Sequence, residues 1–162
     1  MIPQLLFLID TAYDHVSWHG TNLRGSIRGV SPGEAAWRPA PNRHSIHELV
    51  VHAAYWKYVA RRRLTGEKRG SFPLEGSNWF GRSPQANARA WKADIALLDE
   101  THRALRDVVA ALGPGDLEKA PAGSKVKNLA LVTGIAAHDF YHAGQIQLLK
   151  RLMRTRRSSR RR

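Results

Sequence analysis

Apolar residues recur every three or four positions along four stretches of the chain, the period of a helix face packed against neighbours. Leu5, Ile9, Ala12, Val16, His19, Leu23 and Ile27 form the first seam and predict a helix over residues 3–29. Ser31-Pro32-Gly33-Glu34 then starts a short helical turn, and the prolines of Arg38-Pro39-Ala40-Pro41-Asn42 mark a loop. The second helix begins at Ser45-Ile46-His47-Glu48. This is a capping box, in which the Ser and the Glu three residues on each satisfy a free backbone N–H. Ile46, Leu49, Val50, Ala53, Trp56 and Ala60 make its apolar side, and it stops by Gly66. Residues 66–83 are rich in Gly, Ser and Pro but carry Phe72, Trp79 and Phe80. A loop of that length with aromatic side chains covers something, as a lid over a pocket or as a packed crossover. The third helix spans about residues 84–112, with Trp91, Ile95, Leu98, His102, Leu105, Val109 and Leu112 on its seam, and Gly113-Pro114-Gly115 ends it. Residues 116–125 connect, with a short helix at 116–119. The fourth helix spans about residues 127–153 with Leu131, Ile135, His138, His142, Gln145 and Leu149 on its seam. Four long helices with weak strand signals predict an all-α fold, a four-helix bundle with at least one long crossover connection.

Composition fits that reading. The chain has 162 residues, 43% of them apolar and 24% charged. That is ordinary for one globular domain and excludes a disordered, collagen-like or membrane-spanning chain. MIPQLLFLID has no basic region ahead of its short apolar stretch. It reads as a helix start rather than a signal peptide, so the expected location is cytoplasmic, with no membrane partner. The absence of cysteine excludes disulfides, thiolate catalysis and zinc–thiolate sites.

Charge divides the chain into a domain at 1–153 and a basic tail at 154–162. The net charge of +13 invites a nucleic-acid partner. Residues 150–162, KRLMRTRRSSRRR, hold eight of the 26 basic side chains, however, and leave 18 against 13 acidic ones elsewhere, a net charge of +5. Such a run reads as a disordered tail that attracts polyanions non-specifically. Arg61-Arg62-Arg63 reads as the exposed end of a helix, where cations suit the macrodipole.

The candidate chemistry lies in the eight histidines. His138 and His142 sit four residues apart on consecutive seam positions, so both imidazoles face the interior. Seam positions favour Leu, Ile or Val, and an unpartnered buried imidazole costs about 1–3 kcal/mol. A divalent metal compensates two such costs directly, since neutral imidazole is its commonest ligand. The pattern HDFYH is not the HExxH of zincins, because Asp139 stands where those enzymes carry their general base. Asp139 either orients a ligand or faces solvent. A third ligand comes from another helix. His52 flanks the apolar side of helix two, and His19 and His102 are seam residues of helices one and three. His15, His44 and His47 read as peripheral. Three inward histidines leave a coordination position open, and four close the site.

SIHELVVHAAYWKYVARRRLTGE, followed some seventy residues later by GIAAHDFYHAGQIQLLKRL, resembles the DinB-like superfamily of small damage-inducible bacterial proteins, as does TAYDHVSWHGTNLRGSIRGVSPGEAAWRP. The resemblance covers nearly the whole chain to about Met153. It implies a four-helix bundle, a homodimer and a divalent metal held by three histidines, which carry over to His52, His138 and His142. It also implies a metal-dependent hydrolase or a thiol-dependent S-transferase acting on a small molecule, with water or an external low-molecular-weight thiol as the activated group. Zinc and nickel lead as the metal, with manganese and iron as alternatives. His19 and His102 are then candidates for proton transfer. Gln145, Trp56 and Tyr141 are candidates for substrate contact, and Trp79 is a further candidate to line the pocket. A non-catalytic metal-binding stress-response protein is the alternative, followed by nucleic-acid binding through the tail.

Overall fold

The computed structural model describes residues 1–159, with side chains to Arg156. The fold is all-α: α1 (Ile2–Tyr13), α2 (Leu23–Ser26), α3 (Pro32–Ala36), α4 (Ile46–Thr65), α5 (Ala88–Ala110) and α6 (Asn128–Ser159), with a 3₁₀ turn at Pro114–Asp116. No strand occurs among the described residues. The long helices pack so that α4 and α1 each touch both α5 and α6. None of the described helices is long and apolar enough to cross a membrane.

The helix starts obey their local signals. In α4, Ser45 Oγ accepts from the Glu48 N–H and the Glu48 carboxylate accepts from the Ser45 N–H. Arg38 holds that carboxylate from the other side with two hydrogen bonds, at 2.5 and 2.6 Å. Gly66 ends the helix with φ +75°, a left-handed conformation that glycine adopts without steric cost. Ser31 and Glu34 repeat the capping box at α3.

The first seam is where periodicity gives way. The helix expected over residues 3–29 stops at Tyr13 and resumes only as the short α2. Ser17 Oγ donates to the Gly20 carbonyl, and Gly20 turns the chain with φ +116°. Asn22 accepts from the Gly25 N–H to cap α2 and donates to the His15 carbonyl. These side-chain bonds to backbone offer an alternative to the helical ladder. Val16, placed on the seam by spacing, is 97% exposed, and its neighbour Trp18 is 100% exposed. At the other end, α6 continues to Ser159, so residues 154–159 of the expected disordered tail are helical, and Arg160–Arg162 lie outside the described residues.

The buried apolar side chains form two clusters. One gathers Leu49, Ala53, Leu98 and Ile146; the other gathers Ile9, Ala60, Leu105 and Val132. Between them lies a polar layer with one contribution from each long helix. Lys57 of α4 is fully buried and pairs with Asp139 of α6. The Lys57 ammonium lies 4.9 Å from the ring centre of Tyr13, and the Tyr13 ring stacks on His102 at 3.6 Å. Tyr13 also donates its hydroxyl proton to Asp99. Asp139 thus neither faces solvent nor bonds a histidine. Further polar links tie the periphery: Arg106 donates twice to Asp10, at 2.7 and 2.9 Å, and Lys150 donates to the Ser26 carbonyl at 2.8 Å.

A buried ammonium stripped of its carboxylate, or the reverse, carries the full desolvation penalty. Lys57→Met alone is therefore expected to destabilise the protein by about 3–5 kcal/mol in urea unfolding, whereas Lys57→Met with Asp139→Leu recovers most of that loss. Equal losses in the single and double variants would show that the pair does not set the stability of this layer.

Candidate metal centre

Three histidines meet between α4, α6 and the segment joining α4 to α5. His52 Nε2 lies 3.1 Å from His138 Nε2, and His142 Nε2 lies 3.0 Å from the same atom. Helix geometry explains the second pair, since residues four apart share a face. The His52 contact spans 86 positions of sequence and depends on how α4 packs against α6.

The other ring nitrogens decide the chemistry. His52 Nδ1 donates to the Asn78 carbonyl at 2.7 Å, and His142 Nδ1 donates to Gln145 Oε1 at 2.7 Å. The Gln145 amide in turn donates to the Tyr141 hydroxyl at 3.0 Å. A proton on Nδ1 of a neutral imidazole leaves a lone pair on Nε2. Two lone pairs therefore point at the gap beside His138, and one proton on His138 Nε2 can satisfy only one of them. His138 Nδ1 is buried without a partner. The three nitrogens lie within 4.8 Å of one another. A cation bound at about 2.0–2.1 Å by each would hold them a little over 3 Å apart. The donor set, three borderline-soft imidazoles of which two have their outer nitrogens oriented by hydrogen bonds, fits a first-row divalent metal.

Burial keeps these rings neutral. It pulls the His142 pKa down to about 4, against the upward pull of Gln145. Burial also brings His138 down to about 3, helped by its two histidine neighbours and Lys57. His52 is lowered as well, first by burial. Neutral imidazole is the form that ligates metal.

The segment 66–87 supplies what the helices lack. Asn78 sits at φ +64°, a left-handed conformation that asparagine tolerates better than most residues. This turns its carbonyl to His52 while its side-chain oxygen accepts from Trp56 Nε1 at 3.0 Å. Trp79 is sandwiched between His52, at 3.9 Å and 10°, and His44, at 3.5 Å and 5°. The aromatic loop covers a histidine, and His44 is its outer layer. Asn78 carries no periodic or compositional signal; only the length of the loop and its aromatic content pointed here.

The remaining candidates scatter. Trp56 meets His52 and His138 edge-on at 6.3 Å, and Tyr141 meets His142 at 5.1 Å. His19, expected on a seam, is exposed and packs on the edge of Phe140 at 4.3 Å. His102 is buried against Tyr13, and burial pulls its pKa down to about 2. Neither joins the three-histidine group. His47, expected at the periphery, is buried instead: its Nε2 lies 2.7 Å from Asp94, which also takes two hydrogen bonds from Arg82. That cluster fastens the 66–87 segment to α4 and α5.

An all-α protein with three imidazoles converging from two helices defines a helical protein with a candidate metal centre. This chain belongs to the DinB superfamily, whose family model matches residues 15–146. No curated protein and no solved structure matches it.

The hydrogen bonds fix a testable tautomer. Long-range proton–nitrogen spectra of the metal-free protein should show His52 and His142 protonated on Nδ1. His142 should stay neutral as pH falls from 7 to 5 and charge only near pH 4, and His52 should charge below the ordinary imidazole range. Charging near the ordinary 6.5 would contradict the buried, bonded geometry.

Proposed function

We propose that this chain is a metal-dependent enzyme in which His52, His138 and His142 hold one divalent cation and which acts on a small molecule as a hydrolase or a thiol-dependent S-transferase. The observation that carries the reading is the convergence of three Nε2 atoms, two of them turned inward by bonds from Nδ1 to Asn78 and Gln145. Zinc or nickel suits this set best, with manganese and iron as alternatives. A cation there supplies Lewis acidity, so that a water or thiol reaching it loses its proton near neutral pH.

The chain's own residues then have defined tasks. Asn78 and Gln145 fix the rings of His52 and His142, and Tyr141 fixes Gln145. Trp79 covers one face of His52 against water. A thiol nucleophile comes from outside, because the chain has no cysteine. Three protein ligands rather than four leave a position for an exchangeable group, which favours catalysis over a purely structural ion. In this reading the four long helices form a four-helix bundle with residues 66–87 as its crossover. Tyr141, Leu148 and Leu152, exposed apolar residues seven and four positions apart on α6, support a homodimer.

Metal analysis by mass spectrometry of native protein purified without chelator tests the centre. About one metal per chain is expected, lost in His138→Ala/His142→Ala with helicity retained. Gln145→Leu should weaken metal affinity about 10–100-fold. Absence of metal after incubation with zinc, nickel or manganese would overturn the assignment. Metal without turnover of amide or thiol-adduct substrates would favour the non-catalytic stress-response reading.

A further inference from the structure

The last turns of α4 and the segment after it enclose a cleft that the histidine centre does not use. It measures about 430 Å³ and is walled by Tyr55, Trp56 and Phe72 together with Arg62, Arg63 and Arg69. A second hollow of about 340 Å³ shares the same three arginines and is closed by residues 121–124.

The cations are in excess there. Arg61 and Glu67 neutralise each other through two hydrogen bonds, at 2.7 and 2.6 Å. Arg62 donates from Nη1 to the Glu67 carbonyl, but its Nε is buried without a partner. Among the described residues, Arg63 and Arg69 have no carboxylate partner, and Glu75 is the one other acid lining either hollow. Cations do gather at helix C-termini. Gly66 already caps α4, however, Arg69 lies beyond the helix, and the dipole leaves the buried Nε unsatisfied. Guanidinium forks match phosphate and carboxylate oxygens, and aromatic faces match a flat ring.

We propose that this cleft binds a small molecule that joins a flat ring to an anionic group. The ring lies against Trp56 and Phe72, and the phosphate or carboxylate lies among Arg62, Arg63 and Arg69. Ten residues of helix, about 15 Å, separate His52 from Arg62, so the anion does not reach the histidines. Trp56 is the shared wall: its N–H holds Asn78, and Asn78 holds His52. The inference does not rest on the metal reading.

Titration calorimetry of the full chain with phenyl phosphate, benzoate and inorganic phosphate tests it. Saturable binding of phenyl phosphate or benzoate at one per chain is expected, tighter than inorganic phosphate; the better of the two identifies the acid group. Arg63→Glu/Arg69→Glu should weaken it at least tenfold. Arg89→Glu/Lys92→Glu, the same charge change on exposed residues of α5, should leave it within twofold, as should His138→Ala/His142→Ala. Arg69→Glu alone, outside any helix, guards against a folding defect, and each variant is checked by its melting curve. The proposal is overturned by no saturable binding, by equal weakening in both charge reversals, by loss in the histidine variant, or by inorganic phosphate binding as tightly as the ring compounds.

Discussion

The need to pair a buried ammonium fixes how this protein's helices meet. Lys57 lies between two apolar clusters, and the carboxylate it pairs with belongs to Asp139 on another helix. Sliding α4 past α6 by one turn would separate the two charges and leave them among alanines and isoleucine such as Ala53, Ala60 and Ile135, at a cost larger than several ordinary contacts can offset. Apolar packing alone tolerates such slippage far better. The register that pairs Lys57 with Asp139 is the one that brings His52 to His138 and His142. Tyr13 and His102 complete the layer from α1 and α5, so all four long helices are referred to one level.

Above that level the histidines add a second polar demand, met from a different source. The helices supply the rings, but irregular backbone supplies the acceptor that turns His52. A left-handed asparagine and a tryptophan wedged between two imidazoles do what no residue on a helix face could do from that side. The buried Asp94, which takes two hydrogen bonds from Arg82 and lies beside His47, ties that irregular segment to α5.

Much of this was legible in the chain. The helix starts followed from Ser45 with Glu48 and Ser31 with Glu34, because capping is a local bargain between residues three apart. The pairing of His138 with His142 followed from helical period. Period could not choose the third histidine: it set His19 and His102 on seams and His52 only at the edge of one, and the family resemblance made the choice. The break after Tyr13 was missed because Ser17, Gly20 and Asn22 bond their own backbone more profitably than the apolar spacing suggests. Lys57 could have been found: it falls three and four residues from Ala54, Ala53 and Ala60, inside the very seam that predicted α4. Nothing local marked Asn78, since its role exists only once two distant helices have docked.

The separation of His52 and His138 by 86 positions has a kinetic consequence. Closing a contact of that span carries the loop-closure entropy of the chain between α4 and α6, so it would be expected to form after the local helical contacts. Interactions absent from the transition state act on the rate of escape, not on the rate of arrival. An ion held by the three imidazoles, as proposed above, would therefore act as a latch rather than a nucleus: it would prolong the life of the folded chain without hastening its birth.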